Sequence, residues 1–215
     1  MAFAEGRVGA ITVSDGSPRE VRLDRFCALV TQDAAGKYYE LSKQGRIFCG
    51  AMAAGASLGT ALTATAVTLT LYNPSTSGVN VSLLQCSICL TTEVVNAEVG
   101  VIVYACNVVP SAAIPTTTTL LAAANWGPTL LGSAAAPLAQ LFTAATLPAT
   151  PVIRRVFPLA HNQVATTATA LSGLANVDYV DGALCLAPNT AVTIQQIKTT
   201  ADSGIVGYVW AEIPV

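Results

Sequence analysis

The chain has 215 residues, of which 53% are hydrophobic and 10% are charged, and its formal net charge is −2. This length is enough to bury a sizeable core, and the near-neutral charge gives no electrostatic case for binding nucleic acid, which requires a basic surface. A soluble monomer usually has about a quarter of its residues charged, so a surface this neutral must be covered, either by membrane or by other protein chains.

Charge is concentrated at the N-terminus, where the first 46 residues hold thirteen of the 22 charged side chains. Both signs are mixed there, the apolar residues are scattered without a helical stripe, and glycines recur along the segment. The pattern predicts an extended N-terminal arm over residues 1–46 with one or two short strands, and a disordered leader is the alternative. Residues 47–215 are then expected to form a single domain.

The uncharged residues 49–71 are the strongest candidate for a membrane span. They are rich in glycine, serine and threonine, and they end in strict alternation of apolar and polar residues over 67–71. A spanning helix needs about 20 predominantly apolar residues, whereas alternation with a period of two is typical of a strand. We therefore expect no membrane segment, and we expect other protein chains to cover the neutral surface.

From about residue 61 the pattern predicts a series of strands. Residues 65–72 alternate, turn-forming residues fill 73–78, and a second strand is predicted over 79–92, so we expect the two strands to pair as an antiparallel hairpin. Within the second strand the apolar phase slips by one residue between Leu83 and Leu84, which predicts a β-bulge.

Residues 110–150 form a segment rich in alanine, threonine, proline and leucine. Its prolines exclude a continuous helix, although one short helix is expected near residues 137–145 with Pro137 in its first turn. Exposed loops are rarely this apolar, so we expect a long excursion between strands that packs against another surface.

Further strands are predicted over residues 99–109, 152–159, 183–186, 191–199 and 205–213. Seven or eight short strands with little helix indicate an all-β sandwich, and the long excursion favours a jelly roll over a meander. The strands at 99–109 and 205–213 are apolar on both faces. The face of each that points away from the core must therefore be covered by other protein. A homo-oligomer supplies that cover, with a trimer favoured by analogy between folds. The predicted oligomer-interface residues are Val206, Tyr208 and Trp210.

The sequence contains no catalytic signature. Its single histidine, His161, lies outside any nucleophile-elbow pattern, and Asp178 and Asp181 are interpreted as turn residues before Gly182. Together with Asp202 these aspartates match no calcium loop, so no metal, cofactor or catalytic residue is expected. The protein is predicted to be no enzyme.

Cysteine and aromatic residues give only weak signals of a site. Cys86 and Cys89 have the spacing of a metal or redox pair, but in a strand residues three apart point to opposite faces, so buried reduced thiols are expected.

Trp126 is the better of two tryptophans for an exposed sugar-stacking aromatic. The doublet Arg154–Arg155 is expected to face an acidic partner or to protect a strand edge.

The two-part layout resembles the jelly-roll accessory proteins of tailed bacteriophage virions, in particular capsid decoration (cement) proteins. The resemblance lies in a mixed-charge leader ending YYELSKQGRIFCG, followed by TLTLYNPSTSGVNVSLLQCSI and finally LCLAPNTAVTIQQIKTTADSGIVGYVWAEIPV. It implies a homotrimer on the capsid surface, with the arm reaching over the major capsid protein and with no catalytic residues.

On this basis we expect a non-enzymatic virion protein that stabilises the assembled capsid. Charge in the arm is dense and mixed, so its cationic residues are the predicted capsid contacts: Arg19, Arg22, Arg25, Lys37, Lys43 and Arg46. The alternative is a receptor- or glycan-binding module of a phage head fibre or tail, which would bind a host-surface glycan.

Overall fold

The computed structural model describes residues 36–65, 67–92, 99–108, 119–120, 125–160, 175–198 and 201–215. The α-helix of these residues, α1, spans Tyr39–Lys43, and the strands are β1 (Ile47–Ala51), β2 (Ala56–Ser57), β3 (Val67–Asn73), β4 (Val79–Thr92), β5 (Val99–Val108), β6 (Thr119–Leu120), β7 (Trp126–Pro128), β8 (Gln140–Ala145), β9 (Val152–Ala160), β10 (Ala175–Leu186), β11 (Thr190–Ile197) and β12 (Ser203–Pro214). The predicted all-β class is therefore confirmed. No helix in the described part of the chain is long and apolar enough to cross a bilayer.

The strands form two antiparallel sheets. In the first sheet the order is β10-β4-β12-β1-β7, with β2 pairing to β12 at one end. In the second sheet the order is β6-β8-β3-β11-β5-β9. Neighbouring strands within each sheet are mostly distant in sequence, so the chain passes repeatedly from one sheet to the other.

A single core cluster contains side chains from both sheets, as expected for a β-sandwich. Phe48 and Trp210 of the first sheet and Leu69 and Ile194 of the second belong to this cluster. The Tyr208 hydroxyl donates a hydrogen bond to the backbone oxygen of Leu69 at 3.3 Å, which links the two sheets through the core.

The β-bulge predicted in β4 is confirmed. Val209 pairs with Gln85 and the next residue, Trp210, pairs with Leu83, so Leu84 is the extra residue. At the bulge two consecutive leucines are buried, with exposed fractions of 0% for Leu83 and 6% for Leu84. It also shifts the core-facing phase of β4 by one residue, as the apolar pattern indicates.

The predicted hairpin between the strands at 65–72 and 79–92 is wrong. β3 pairs with β8 and β11 in the second sheet, whereas β4 pairs with β10 and β12 in the first. The loop between them crosses the sandwich, and the Asn73 side chain supports it by donating to the backbone oxygens of Val79 at 2.8 Å and Leu186 at 2.9 Å. Alternation predicts a strand and its faces, but it contains no information about which strand lies alongside.

The short helix expected near residues 137–145 is also wrong. Residues 140–145 form β8, which extends the second sheet by pairing with β3. The described parts of the 110–150 segment thus add strands at the ends of both sheets, β6 and β8 in one and β7 in the other. A free strand edge offers hydrogen bonds that override the weak helix propensity of a short segment.

The outer face of the second sheet is covered in part by the chain itself. Gln195 accepts a hydrogen bond from the backbone N–H of Thr63 at 2.8 Å and donates to the Thr63 oxygen at 2.9 Å. The N–H of Leu147 donates to the oxygen of Ala64 at 2.7 Å. On β5 the core-facing Tyr104 and its neighbours Val103 and Ala105, which point to the opposite face, are all buried, which confirms that this part of the strand is covered on both sides. Part of the outer surface that was expected to contact other copies is therefore covered by residues of this chain.

The segment before the sandwich is described only from residue 36 onwards. Residues Leu41–Val215 form one compact unit, and the described residues 36–40 belong to a separate one. In the described end of the latter, the Tyr39 N–H donates to the Gly36 oxygen at 2.9 Å, and Lys37 Nζ lies 5.1 Å from the centre of the Tyr38 ring. The extended arm predicted over residues 1–46 lies mostly outside the described residues and stays a prediction.

Candidate functional site

Three of the seven described charged side chains after residue 46 are buried. Lys198, Asp202 and Glu212 are buried, with exposed fractions of 5%, 0% and 5%. In this part of the chain the exposed charged side chains are those of Arg154 and Asp181. The described surface of the sandwich is therefore more neutral than its composition implies.

Arg155 and Asp178 form a clasp between the edge strands of the two sheets, β9 and β10. Arg155 Nε and Nη2 donate to the two Asp178 carboxylate oxygens, each at 2.9 Å, and the Tyr104 hydroxyl donates to Oδ2 at 2.7 Å. The hydrogen bond from Arg155 is the main cause that lowers the pKa of Asp178, and it likewise raises the pKa of Arg155. Burial raises the pKa of Tyr104, so its hydroxyl stays protonated as a donor. The sequence-based expectation that one of the two arginines faces an acidic partner is confirmed.

A second ion pair is fully buried at the turn between β11 and β12. Lys198 Nζ lies 2.9 Å from Asp202 Oδ1, and both side chains have an exposed fraction of 0%. The Gln196 side chain donates to the same carboxylate and accepts from the Asp202 N–H at 3.1 Å. Buried charges persist only where such partners satisfy them, so Asp202 is a structural residue of the turn.

Glu212 attaches the 110–150 segment to the first sheet. Its carboxylate accepts hydrogen bonds from the backbone N–H groups of Leu138 and Ala139 at 2.9–3.0 Å and from Trp210 Nε1 at 3.2 Å. A charged acceptor for several N–H groups is among the stronger hydrogen-bonding arrangements in proteins. Like the two pairs above, Glu212 has a structural role in the sandwich.

The outer face of the first sheet presents neutral side chains across four strands, and we call it the neutral face. The register aligns Tyr179, Gln85, Val209 and Cys49 in one row. The adjacent row contains Val177, Ser87 and Ala51, with Gly207 between the last two. A Cβ built on Gly207 would lie 3.0 Å from Ser87 Oγ and 3.3 Å from Ala51 Cβ. Including the exposed Cys89, the neutral face consists of Cys49, Ala51, Gln85, Ser87, Cys89, Val177, Tyr179 and Val209.

Tyr179 and Val177 are the most prominent apolar side chains of the neutral face, exposed by 68% and 43%. Their inward-facing neighbours on β4 and β12, such as Ile88 and Tyr208, are exposed by only 1% each. The contrast shows that one face of the sheet contacts the core while the other is open.

A cavity of about 310 Å³ lies between the edges of the two sheets. Its described lining residues are Cys106, Arg154, Ala183, Leu184, Cys185, Leu186 and Thr190. Tyr104 pairs with Arg155 and Ala105 pairs with Ile153, so Arg154 is an extra residue in β9, at a bulge. Bulges change the direction of a side chain and are frequent beside functional sites.

The predicted interface residues lie in the core instead. Val206, Tyr208 and Trp210 have exposed fractions of 0%, 1% and 0% within the single chain. These three residues belong to the alternating half of β12 that faces the second sheet, so a second copy could not touch their side chains. Alternation defines two faces of a strand but does not say which one is inside when both are apolar.

The predicted capsid-contact residues are only partly described. Arg19, Arg22 and Arg25 lie outside the described residues. Lys37, Lys43 and Arg46 are exposed, as contact residues must be. Nothing in their surroundings identifies a partner, so their role stays a prediction.

The described cysteines are free thiols in three different environments. Cys86 is buried and Cys89 is exposed, which confirms that the two point to opposite faces of β4, whereas the expectation of uniformly buried thiols is wrong for Cys89 and Cys185. Burial raises the pKa of the Cys86 thiol, so it is unreactive. Cys27 lies outside the described residues. Among those described, no group of three or more His, Cys, Asp or Glu side chains is placed to hold a metal ion.

The other candidate residues are placed as follows. Trp126 is half-buried on β7 and packs against the core, and its indole N–H is buried without a hydrogen-bond partner in the described structure. It is therefore not the exposed aromatic expected for sugar stacking. His161 lies outside the described residues. Asp178 and Asp181 both lie within strand β10, so their interpretation as turn residues is wrong. Asp181 has a positive φ of 51° beside Gly182 and lies where the register of β10 shifts.

Comparison with known proteins adds no assignment. No protein-family model matches the chain, and no curated protein or solved structure matches it either.

Proposed function

We propose that this protein is a non-enzymatic structural protein of a tailed bacteriophage virion. In this proposal it is a capsid decoration, or cement, protein that sits on the capsid surface as a homotrimer. Mechanistically, it binds the assembled shell and not the dissociated subunits, so that binding stabilises the shell by mass action. The observation that carries the proposal is a strand order typical of a jelly roll together with a broad uncharged face.

The strand order supports the jelly roll. When the short additions β2 and β6–β8 are set aside, eight strands remain, in the order β1-β12-β4-β10 in one sheet and β3-β11-β5-β9 in the other. Numbered along the chain, these are strands 1-8-3-6 and 2-7-4-5, the arrangement of two Greek keys wound into one sandwich. Viral capsid proteins and lectins are two classes that use this architecture.

The neutral face supports self-association. An interface between like copies is free of repulsion when no like charges face each other, and none of the eight residues of the neutral face is charged. Exposed Tyr179 supplies the kind of aromatic anchor that is enriched in interfaces. We therefore assign the neutral face, and not the inward face of β12, to contact with a second copy.

Sedimentation equilibrium at micromolar concentration tests the assembly. We expect a species with three times the 22.0 kDa mass of the chain. A stable monomer over this concentration range would contradict the proposal, because the neutral face would then be open to water.

Substitution on the neutral face tests the location of the interface. Tyr179→Arg places a charge where copies are proposed to meet, so it should shift the equilibrium towards monomer. Leu131→Arg is the matched control, since Leu131 is exposed by 92% and lies outside the neutral face. An oligomer that tolerates Tyr179→Arg as well as Leu131→Arg would exclude the neutral face as the interface.

Charge reversal in the arm tests attachment to the shell. The triple substitution Arg19→Glu, Arg22→Glu and Arg25→Glu should abolish co-sedimentation with capsids of the parent phage while leaving the oligomer mass unchanged. Unchanged attachment would refute the proposed role of the arm. The outcome is independent of the interface test, because the arm and the neutral face are altered separately.

A further inference from the structure

The two arginines of the doublet have different surroundings, although they are adjacent in sequence. Arg155 is held by Asp178 in the clasp between the sheets. Arg154 occupies the bulge of β9 and lines the cavity, and no carboxylate is among the described lining residues. Arg154 is exposed, as a cation that protects a strand edge would be, and it also forms part of the wall of the cavity.

The remaining walls of the cavity are apolar or weakly polar. Ala183, Leu184 and Leu186 supply apolar surface, and Cys106 and Cys185 supply thiols. The Thr190 hydroxyl donates to the backbone oxygen of Ala187, and a hydroxyl that donates one hydrogen bond can still accept others. Burial raises the pKa of the Cys106 thiol to about 11, and the nearby positive charge of Arg154 acts in the opposite direction. Arg154 is the cationic side chain among the described residues of this wall.

We propose that this cavity is a binding site for a small organic carboxylate of about monosaccharide size, with Arg154 as its anchor. A guanidinium group matches a carboxylate with two parallel hydrogen bonds, which gives both strength and orientation. The cavity volume of about 310 Å³ is at the lower end of small-ligand sites. The apolar wall accommodates the body of the ligand, and Thr190 accepts from one of its hydroxyl groups.

Calorimetric titration with glucuronate, and with glucose as its neutral counterpart, tests the site. We expect glucuronate to bind in the millimolar range and glucose to bind more weakly. Arg154→Gln should weaken glucuronate binding by about tenfold or more, because the charged anchor is lost. Arg46→Gln is the matched control, since Arg46 is also exposed and lies outside the cavity lining. Equal affinity in the Arg154→Gln variant, or no glucuronate binding to the unaltered protein, would overturn the proposal.

Thiol labelling gives a second readout that does not depend on a substituted protein. Cys185 is an exposed thiol in the cavity wall. Saturating glucuronate should slow the reaction of Cys185 with a disulfide reagent, whereas the same concentration of glucose should not. Equal protection by glucuronate and glucose, or by neither, would exclude the cavity as the site of an anchored carboxylate. Cys185 and Arg154 both lie outside the neutral face, so failure here is distinguishable from failure of the proposed virion function.

Discussion

At the scale of single residues, the main finding is that the buried charges of the sandwich are structural. The side chains of Lys198 and Asp202 are fully buried as a pair, and Glu212 is satisfied by N–H donors. Burying a charge is costly unless partners replace its water, and in each case the partners are present. Substitutions that remove one partner of a buried charge should therefore lower the free energy of unfolding substantially, although the sandwich contains few charges.

Lys198→Met leaves the Asp202 carboxylate buried without its counter-ion. We expect a loss of about 3–5 kcal/mol in the free energy of unfolding, measured by urea denaturation. The double variant Lys198→Met with Asp202→Leu removes both charges and should lose less than the single variant. A single variant as stable as the unaltered protein would show that the pair does not contribute to stability.

Acid titration should reveal the clasp between β9 and β10. The pKa of Asp178 is lowered in the folded state from an ordinary value of 3.8, mainly by Arg155. Its contribution to stability is therefore fully present above 3.8 and is lost as the pH falls through the folded-state pKa. Asp178→Asn should reduce the loss of stability in this acid range.

Asp181→Asn is the matched control for this titration, because Asp181 is exposed on the same strand. We expect the pH dependence of this variant, measured by urea denaturation at several pH values, to stay close to that of the unaltered protein. If Asp178→Asn and Asp181→Asn had the same effect, the clasp would not be the cause.

At the scale of elements, irregularities in the strands place the side chains of interest. The bulge at Leu84 sets the phase of β4, and the bulge at Arg154 brings a cation into the wall of the cavity. A third irregularity, at Asp181 and Gly182, lies between the two paired portions of β10. Each irregularity involves only one or two residues. Which side chains it brings together depends on the neighbouring strand.

Gly182→Ala tests the irregularity in β10. Gly182 has a φ of +83°, and an added Cβ would lie 2.9 Å from Ser82 Oγ. A left-handed backbone costs about 1–2 kcal/mol in a residue with a side chain, so we expect a loss of that order in the free energy of unfolding. Gly127→Ala, where nothing lies within 4 Å of the added Cβ, is the control and should have a smaller effect. Equal losses in thermal or urea denaturation would contradict the backbone argument.

At the scale of the whole molecule, charge is concentrated in residues 1–46, and the described sandwich is nearly neutral. Contacts made by these two parts should respond differently to salt, because salt screens exposed charges and leaves apolar contacts intact. If the protein has the proposed function, the oligomer mass should be unchanged at high ionic strength while attachment to capsids weakens. Sedimentation in low and high salt measures both, and dissociation of the oligomer by salt would contradict an interface on the neutral face.

Local patterns in the sequence are enough to predict the class of fold, most of the strands and one of their irregularities. The alternation over 67–71 and the phase slip at Leu83–Leu84 are local signals, since neighbouring side chains on one strand point to opposite faces wherever that strand lies. The concentration of charge before residue 47 is likewise visible without coordinates.

The tertiary structure alone decided strand partners, the inward face of β12 and the surroundings of each charge. β3 and β4 looked like a hairpin but joined different sheets, and Trp210 was expected at an interface but fills the core. Arg154 and Arg155 are indistinguishable in sequence, yet one lines a cavity and the other holds Asp178. The reason is physical: pairing and burial depend on contacts between residues distant in the chain, which a pattern confined to one strand does not contain.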